Sequence, residues 1–408
     1  MTEPEPGSSS LKRWIYLVSG VVMLLFLGLL YGWSIFRPPL TAIYPSWTAP
    51  QLSLTFTLSM IFFCLGGFFS GKIGAKVSSR VVILLSGTFL LAGFLGASRM
   101  KTEDPDLSLV MLYLCYGALC GFGVGIGYNA VIATVTRWFP DRPGMASGLL
   151  MMGFGFGGIV LGSVVNALVK AAGIFSAFFR LGILVWIVMA LGSFLVKAPP
   201  SPEKAARKED GAGYPPSRML RTGAFWCFFA YAVVTSSAGL LVINSAATIA
   251  VAYGAPAVLG LIVGVFNGIG RLLFGAIYDR VGRRRSMLLN TGCMAAAGLC
   301  LLAGALTGGA PLIFLGLVFV GISYGGSPVM TSAVVYRFFG ARHYGVNFSI
   351  ANFLVVPAAF IGPMISSAIL EASGGVYTPA FVMLILLAAA AFVLILGMNR
   401  AGRRFESP

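Results

Sequence analysis

Twelve stretches of this 408-residue chain are each long and apolar enough to cross a bilayer. A spanning helix needs about 20 mostly apolar residues, and hydrocarbon supplies no water to hydrogen-bond the backbone, so helices are the expected form. The stretches, called spans 1 to 12, cover 14–37, 52–75, 80–99, 107–136, 144–169, 174–196, 223–250, 257–279, 286–306, 310–336, 344–370 and 376–399. The expected fold class is an all-α polytopic membrane protein. Composition agrees: charged residues make up 10% of the chain, against about 25% in a soluble protein. Mean hydropathy is +0.92.

One connection, Lys197 to Thr222, is both long and hydrophilic, and it divides the spans into two sets of six. The expected organisation is a polar N-terminus (1–13), a six-helix bundle (14–197), a linker (198–222), a second six-helix bundle (223–399) and a C-terminal tail (400–408). The net charge of +16 sits mostly in short loops. With both termini and the linker cytoplasmic, 22 of the 28 Lys and Arg residues fall on the cytoplasmic side. Basic residues favour the cytoplasmic loops of membrane proteins, so the charge sets orientation and does not call for a nucleic-acid partner. A multi-pass protein of the cell (inner) membrane is expected, acting as a monomer with the lipid bilayer as its surroundings. The N-terminal MTEPEPGSSS is acidic and polar, unlike a cleavable signal peptide. All six cysteines lie inside apolar segments without metal-ligand spacing, so neither a metal nor a cofactor is expected. No nucleophile–base pairing or phosphate-binding loop is present, and an enzyme is not expected.

The two halves repeat. A shift of 200 residues aligns Gly121–Phe139 in span 4 with Gly321–Phe339 in span 10, matching Gly121, Gly125, Ala133, Val135, Arg137 and Phe139. A shift of 204 aligns GKIGAKVSSR after span 2 with GAIYDRVGRR after span 8. Parallel repeats of this kind imply a pseudo-two-fold axis along the membrane normal, with a ligand held near the midplane between them.

Arg271 carries the chemistry. It lies nine residues before Arg280 at the cytoplasmic edge of span 8. At 1.5 Å per residue that is about 13–14 Å, close to half of a roughly 30 Å hydrocarbon core. A charge at that depth costs about 2.5–3.5 kcal/mol on insertion scales, and arginine cannot escape by losing its proton. Asp141 and Asp279 lie at cytoplasmic ends and Glu371 at an outer end, so no acid in another span is deep enough to neutralise it. A substrate carboxylate, gripped by the planar guanidinium fork, is the natural partner. The alternative is a guanidinium satisfied by helix carbonyls and water.

Other candidates follow from depth. Asn267, four residues before Arg271, shares its helical face and either orients the guanidinium or bonds a neighbouring helix. Tyr128 and Asn129 lie nine and eight residues before Arg137, and Asn352 nine past His343, all near the midplane. Tyr324 and Tyr31 lie further out. Phe353 and Leu27 are candidates for an apolar pocket wall. Gating candidates are Asp279 and Arg280 in the loop after span 8, and Arg37 at the outer end of span 1. The chain's one histidine, His343, falls at the cytoplasmic end of span 11.

With GAIYDRVGRRR after span 8 and a hydrophilic central linker, the chain resembles the major facilitator superfamily. YGWSIFRPPL in span 1 and GIGYNAVIATVTRWFPDRPGMASGLLMMGFGFG across spans 4 and 5 are similar to the oxalate/formate antiporter family, related to the monocarboxylate (lactate) transporters. The resemblance implies a secondary active transporter of a small monocarboxylate such as L-lactate or pyruvate, proton-coupled and working by alternating access. The other reading is an oxalate/formate-type organic anion antiporter. Two departures stand out. Asn352 occupies the place of the second pore cation of the oxalate antiporters, and Asn267 that of the acid four residues before the arginine in monocarboxylate transporters.

Overall fold

The structure is a computed structural model, and it describes residues 6–74, 76–198, 213–243, 245–254, 260 and 262–402. The first five residues, most of the linker (199–212) and the last six residues of the tail lie outside the described residues.

Among the described residues, ten helical runs are long and apolar enough to cross a membrane. Two of them, Pro143–Leu195 and Ile262–Thr307, each turn a sharp corner at a glycine, Gly173 (φ 77, ψ 168) and Gly282 (φ 74, ψ 178). Each is two spans, and the total is the expected twelve. That backbone region is open essentially only to glycine. These corners separate spans 5 and 6, and spans 8 and 9.

The starts of spans 2 and 4 are built from local sequence. At span 2, the Thr48 hydroxyl accepts from the Gln51 amide (3.4 Å) while the Gln51 side chain accepts from the Thr48 amide (2.8 Å). This reciprocal cap satisfies two donors that a helix start leaves unpaired. Asp104 caps the start of span 4 by accepting from Leu107 N (3.0 Å), with Pro105 in the first turn. Tyr44 stacks on Trp47 (4.0 Å), whose indole donates to the Pro105 carbonyl (3.1 Å). Aromatic groups with one polar edge suit this level, where hydrocarbon meets headgroups.

Several spans are less regular than their hydropathy predicts. Span 1 runs as Pro6–Leu27, a 3-10 stretch Gly28–Gly32, and Trp33–Ile43 with Pro38 and Pro39 inside the helix. It therefore starts within the expected polar N-terminus and ends beyond residue 37. Span 4 contains a π-helical stretch, Leu112–Cys120. Span 7 runs as Gly223–Ile243 and then Ala246–Ala252. Span 11 is interrupted between Tyr344–Asn352 and Val355–Ala372.

The chain forms two compact units. One comprises Met1–Asp141, Gly153–Gly211 and Phe348–Ile350; the other Arg142–Met152, Ala212–Asn347 and Ala351–Pro408. The first turns of span 5 thus belong to the second unit.

Within the first unit, span 4 lies directly against span 2. A Cβ on Gly121 would meet Ser59 O at 2.6 Å, and one on Gly125 would meet Phe63 O at 2.0 Å and Gly67 N at 2.9 Å. Within the second unit, span 10 lies against span 8 in the same register. A Cβ on Gly321 would meet Val263 O at 2.6 Å and Asn267 N at 3.1 Å; one on Gly325 would meet Asn267 O at 2.2 Å and Arg271 N at 3.0 Å. The residues touched, 59, 63 and 67 against 263, 267 and 271, differ by the 204 of the sequence repeat. Each glycine pair thus lets two backbones meet, the usual way for helices to associate where lipid offers no hydrophobic contrast. Buried hydroxyls add bonds between helices: Ser86 donates to Gly123 O (2.7 Å), and Ser236 pairs with Ser327 (2.9 Å).

The outer surface is apolar, as lipid demands. Phe194 is 68% exposed, Leu306 73% and Met364 67%.

Candidate functional site

Arg271 is 3% exposed. Span 8 presents it one helical turn after Asn267, whose side-chain oxygen accepts from Arg271 Nε (3.3 Å). Nη1 donates to the main-chain carbonyl of Met151 (2.6 Å), in the first turns of span 5. Among the described residues these bonds engage two of the five guanidinium N–H donors, and no carboxylate forms an ion pair with the group. An ion pair away from it joins Arg13 to Asp141 (3.3 Å). A buried guanidinium with uncommitted donors is suited to bind an anion in the plane of its fork.

The Met151 carbonyl is a partner that sequence reasoning missed. A signal for it existed. Gly144 and Gly148 form a G-x-x-x-G spacing at the start of span 5, a pattern that lets helices approach closely. A Cβ on Gly148 would meet Arg271 O at 2.7 Å, and one on Gly144 would meet Gly275 O at 2.6 Å. This contact brings the Met151 carbonyl onto the guanidinium.

Asp279 closes the same contact about two helical turns further along span 8. Its two carboxylate oxygens accept from Gly144 N (3.0 Å) and Met145 N (2.7 Å). These amides belong to the first turn of span 5, where donors lack helical partners and the helix dipole favours a negative charge. Arg280 is exposed beside it. Arg283, by contrast, is 4% exposed: Nη2 donates to Asn399 Oδ1 (3.0 Å) and its guanidinium lies 5.6 Å from the Phe338 ring centre.

The remaining candidates fall in two groups. In the first unit, Tyr128 is buried and packs against the rings of Phe63 (5.2 Å), Phe154 (4.8 Å) and Phe348 (6.3 Å). Asn129 is buried, and its amide donates to Gly67 O (2.6 Å), joining spans 2 and 4. Gly67 is the repeat counterpart of Arg271. Leu27 is buried and lines a small apolar recess with Leu30, Leu90, Phe94 and Tyr116. Arg37 is half-buried, and its carbonyl accepts from the Thr41 hydroxyl (3.0 Å). Tyr31 lies in the 3-10 stretch, and its side chain is outside the described residues. In the second unit, Tyr324 is half-buried on span 10, its ring over Gly239 of span 7, where a Cβ would meet Tyr324 Cδ2 at 2.5 Å. Asn352 is 8% exposed and ends the first segment of span 11; Phe353, half-buried, sits at the interruption.

A helix pair built twice, one copy carrying a buried arginine where the other has glycine, is the frame of a polytopic membrane protein with an internal repeat. Comparison with known proteins gives the family. The Major Facilitator Superfamily profile matches residues 22–363, and the chain belongs to that superfamily. It is similar to the oxalate:formate antiporter of Oxalobacter formigenes, with 30% identity over 370 residues covering 85% of this chain and 84% of that one. It is also similar to monocarboxylate transporter 12 of Homo sapiens, with 24% identity over 345 residues covering 76% and 66%. In three dimensions it resembles the proton:xylose symporter XylE, with a TM-score of 0.74, 15% identity and 96% of each chain covered, a likeness of fold alone.

Proposed function

We propose that this transporter carries a small monocarboxylate such as L-lactate or pyruvate across the cell (inner) membrane, as a proton-coupled symporter working by alternating access. Both termini face the cytoplasm and the protein acts as a monomer. The carrying observation is Arg271: a buried, permanently charged group with no carboxylate partner among the described residues. One guanidinium matches one carboxylate. Asn267 holds its Nε side and the neutral Met151 carbonyl sits on Nη1, a partner that a carboxylate can displace. Asn352, Asn129, Tyr128, Tyr324 and Tyr31 supply neutral polar groups, while Leu27 and Phe353 supply apolar wall. Asp279, Arg280 and Arg37 act in gating. Arginine cannot give up a proton, so the coupled proton travels with the substrate or on another group.

A second reading is exchange of anions, favoured by the likeness to an oxalate:formate antiporter over most of both chains. Uptake of labelled L-lactate, oxalate and formate into proteoliposomes, with and without an inward proton gradient, separates the two. Symport gives lactate uptake that rises with the gradient. Exchange gives uptake that needs a counter-anion inside. In either case Arg271→Ala is expected to remove uptake; lactate transport at the wild-type rate in that variant would rule the site out.

A further inference from the structure

Arg271, Met151, the glycines of span 5 and Asp279 form one continuous contact inside the second unit. Asp279 holds the Gly144 and Met145 amides at its cytoplasmic end. Gly144 and Gly148 bring the span 5 backbone against Gly275 and Arg271. The Met151 carbonyl ends the contact on the guanidinium. The group proposed to bind the substrate carboxylate therefore already holds an oxygen ligand, supplied by the main chain of the segment that Asp279 caps.

We propose that the Met151 carbonyl is a built-in competitor for the substrate carboxylate, so that anion binding at Arg271 releases the first turns of span 5 from span 8. This rests on the reading of Arg271 as the anion site and adds how that site is linked to closure. A neutral carbonyl gives way to a carboxylate because hydrogen bonds to ionised acceptors are roughly twice as strong as neutral ones. The segment 143–152 is unbroken helix between the two ends of the contact, so losing the Arg271 bond loosens the hold at Asp279. Conversely, anything that loosens the Asp279 end weakens the competitor and tightens anion binding. Such coupling is reciprocal by thermodynamic necessity.

The inference is tested by equilibrium binding of L-lactate, with formate and oxalate in parallel, to the purified full-length protein. Four forms are compared: wild type, Asp279→Asn, Gly148→Ala and Arg271→Ala. Asp279→Asn weakens the far end of the contact without touching the guanidinium. Gly148→Ala wedges the helices apart, since its Cβ would sit 2.7 Å from the Arg271 carbonyl. Both are expected to tighten lactate binding by about three- to tenfold, because apparent affinity scales with the fraction of protein whose site is open to ligand. Arg271→Ala is expected to abolish it. If Arg271→Ala abolishes binding while Asp279→Asn binds as wild type or more weakly, the competitor idea falls and the anion site stands. If Arg271→Ala binds like wild type, both fall. Asp279→Asn decides alone where Gly148→Ala fails to accumulate.

Discussion

A buried arginine in an apolar span is hard to keep unless it is used, and its geometry constrains what uses it. Lysine keeps the charge but loses the planar fork, so Arg271→Lys is expected to lower lactate uptake by roughly ten- to a hundredfold, short of the complete loss in Arg271→Ala. Flux assays on both variants at equal protein density check this; equal rates for Arg271→Lys and wild type would argue against bidentate binding. His343 is a separate case. Burial, with Arg342 beside it, lowers its pKa below the ordinary 6.5, so the folded protein favours the neutral ring. Its unfavourable charging is absent above that value and grows as pH falls through it, so folded-state stability drops on acidification. His343→Gln is expected to flatten the decline in Tm between about pH 7 and about pH 5, and to leave proton-driven uptake intact. At this scale the sequence revealed charge and depth, enough to single out Arg271 and Asn267. The G-x-x-x-G spacing of Gly144 and Gly148 marks a close approach of span 5, but nothing in the sequence reports which carbonyl a side chain finds, so Met151 itself was not singled out. Asn129 shows the same limit: its depth made it a pocket candidate, but the sequence did not report that its amide donates to Gly67 O.

At the scale of elements, glycine does two different jobs, and substitution separates them. Gly125→Ala puts a methyl 2.0 Å from Phe63 O, a steric conflict inside the span 2–span 4 crossing. Gly282→Ala meets nothing within 4 Å, so its cost is purely that of forcing a side chain into a backbone region meant for glycine. Both are expected to destabilise by about 1–3 kcal/mol, by overpacking in the first case and backbone strain in the second. Thermal unfolding in detergent reads the loss. An unchanged Tm in Gly125→Ala would mean that the crossing is looser than described. Hydropathy placed the breaks at Gly173 and Gly282 within a few residues, because polar or glycine-containing gaps interrupt the apolar runs there. It missed the π-helical stretch Leu112–Cys120 and the interruption of span 11 at Phe353. Both are changes of hydrogen-bond register within apolar sequence, and residue polarity does not encode them.

Across the whole molecule, the repeat was the legible property, and loop charge supplies an expected orientation. The excess of basic residues in alternate loops predicts that a tag at either end is shielded from added protease in intact spheroplasts and cut once they are permeabilised. Cutting in intact cells would invert the topology proposed here. The 200- and 204-residue offsets found in sequence reappear as matched backbone contacts, 121 and 125 on 59, 63 and 67, and 321 and 325 on 263, 267 and 271. What the repeat could not reveal is how its copies have diverged. Glycine stands at 67 where arginine stands at 271, and alanine at 75 where aspartate stands at 279, so the charged chemistry has gathered in one copy. The single-glycine corners at Gly173 and Gly282 also bear on how the chain is made. With almost no slack between the two arms, spans 5 and 6, and likewise 8 and 9, are expected to leave the translocon as pairs, the second arm drawn in on the heels of the first.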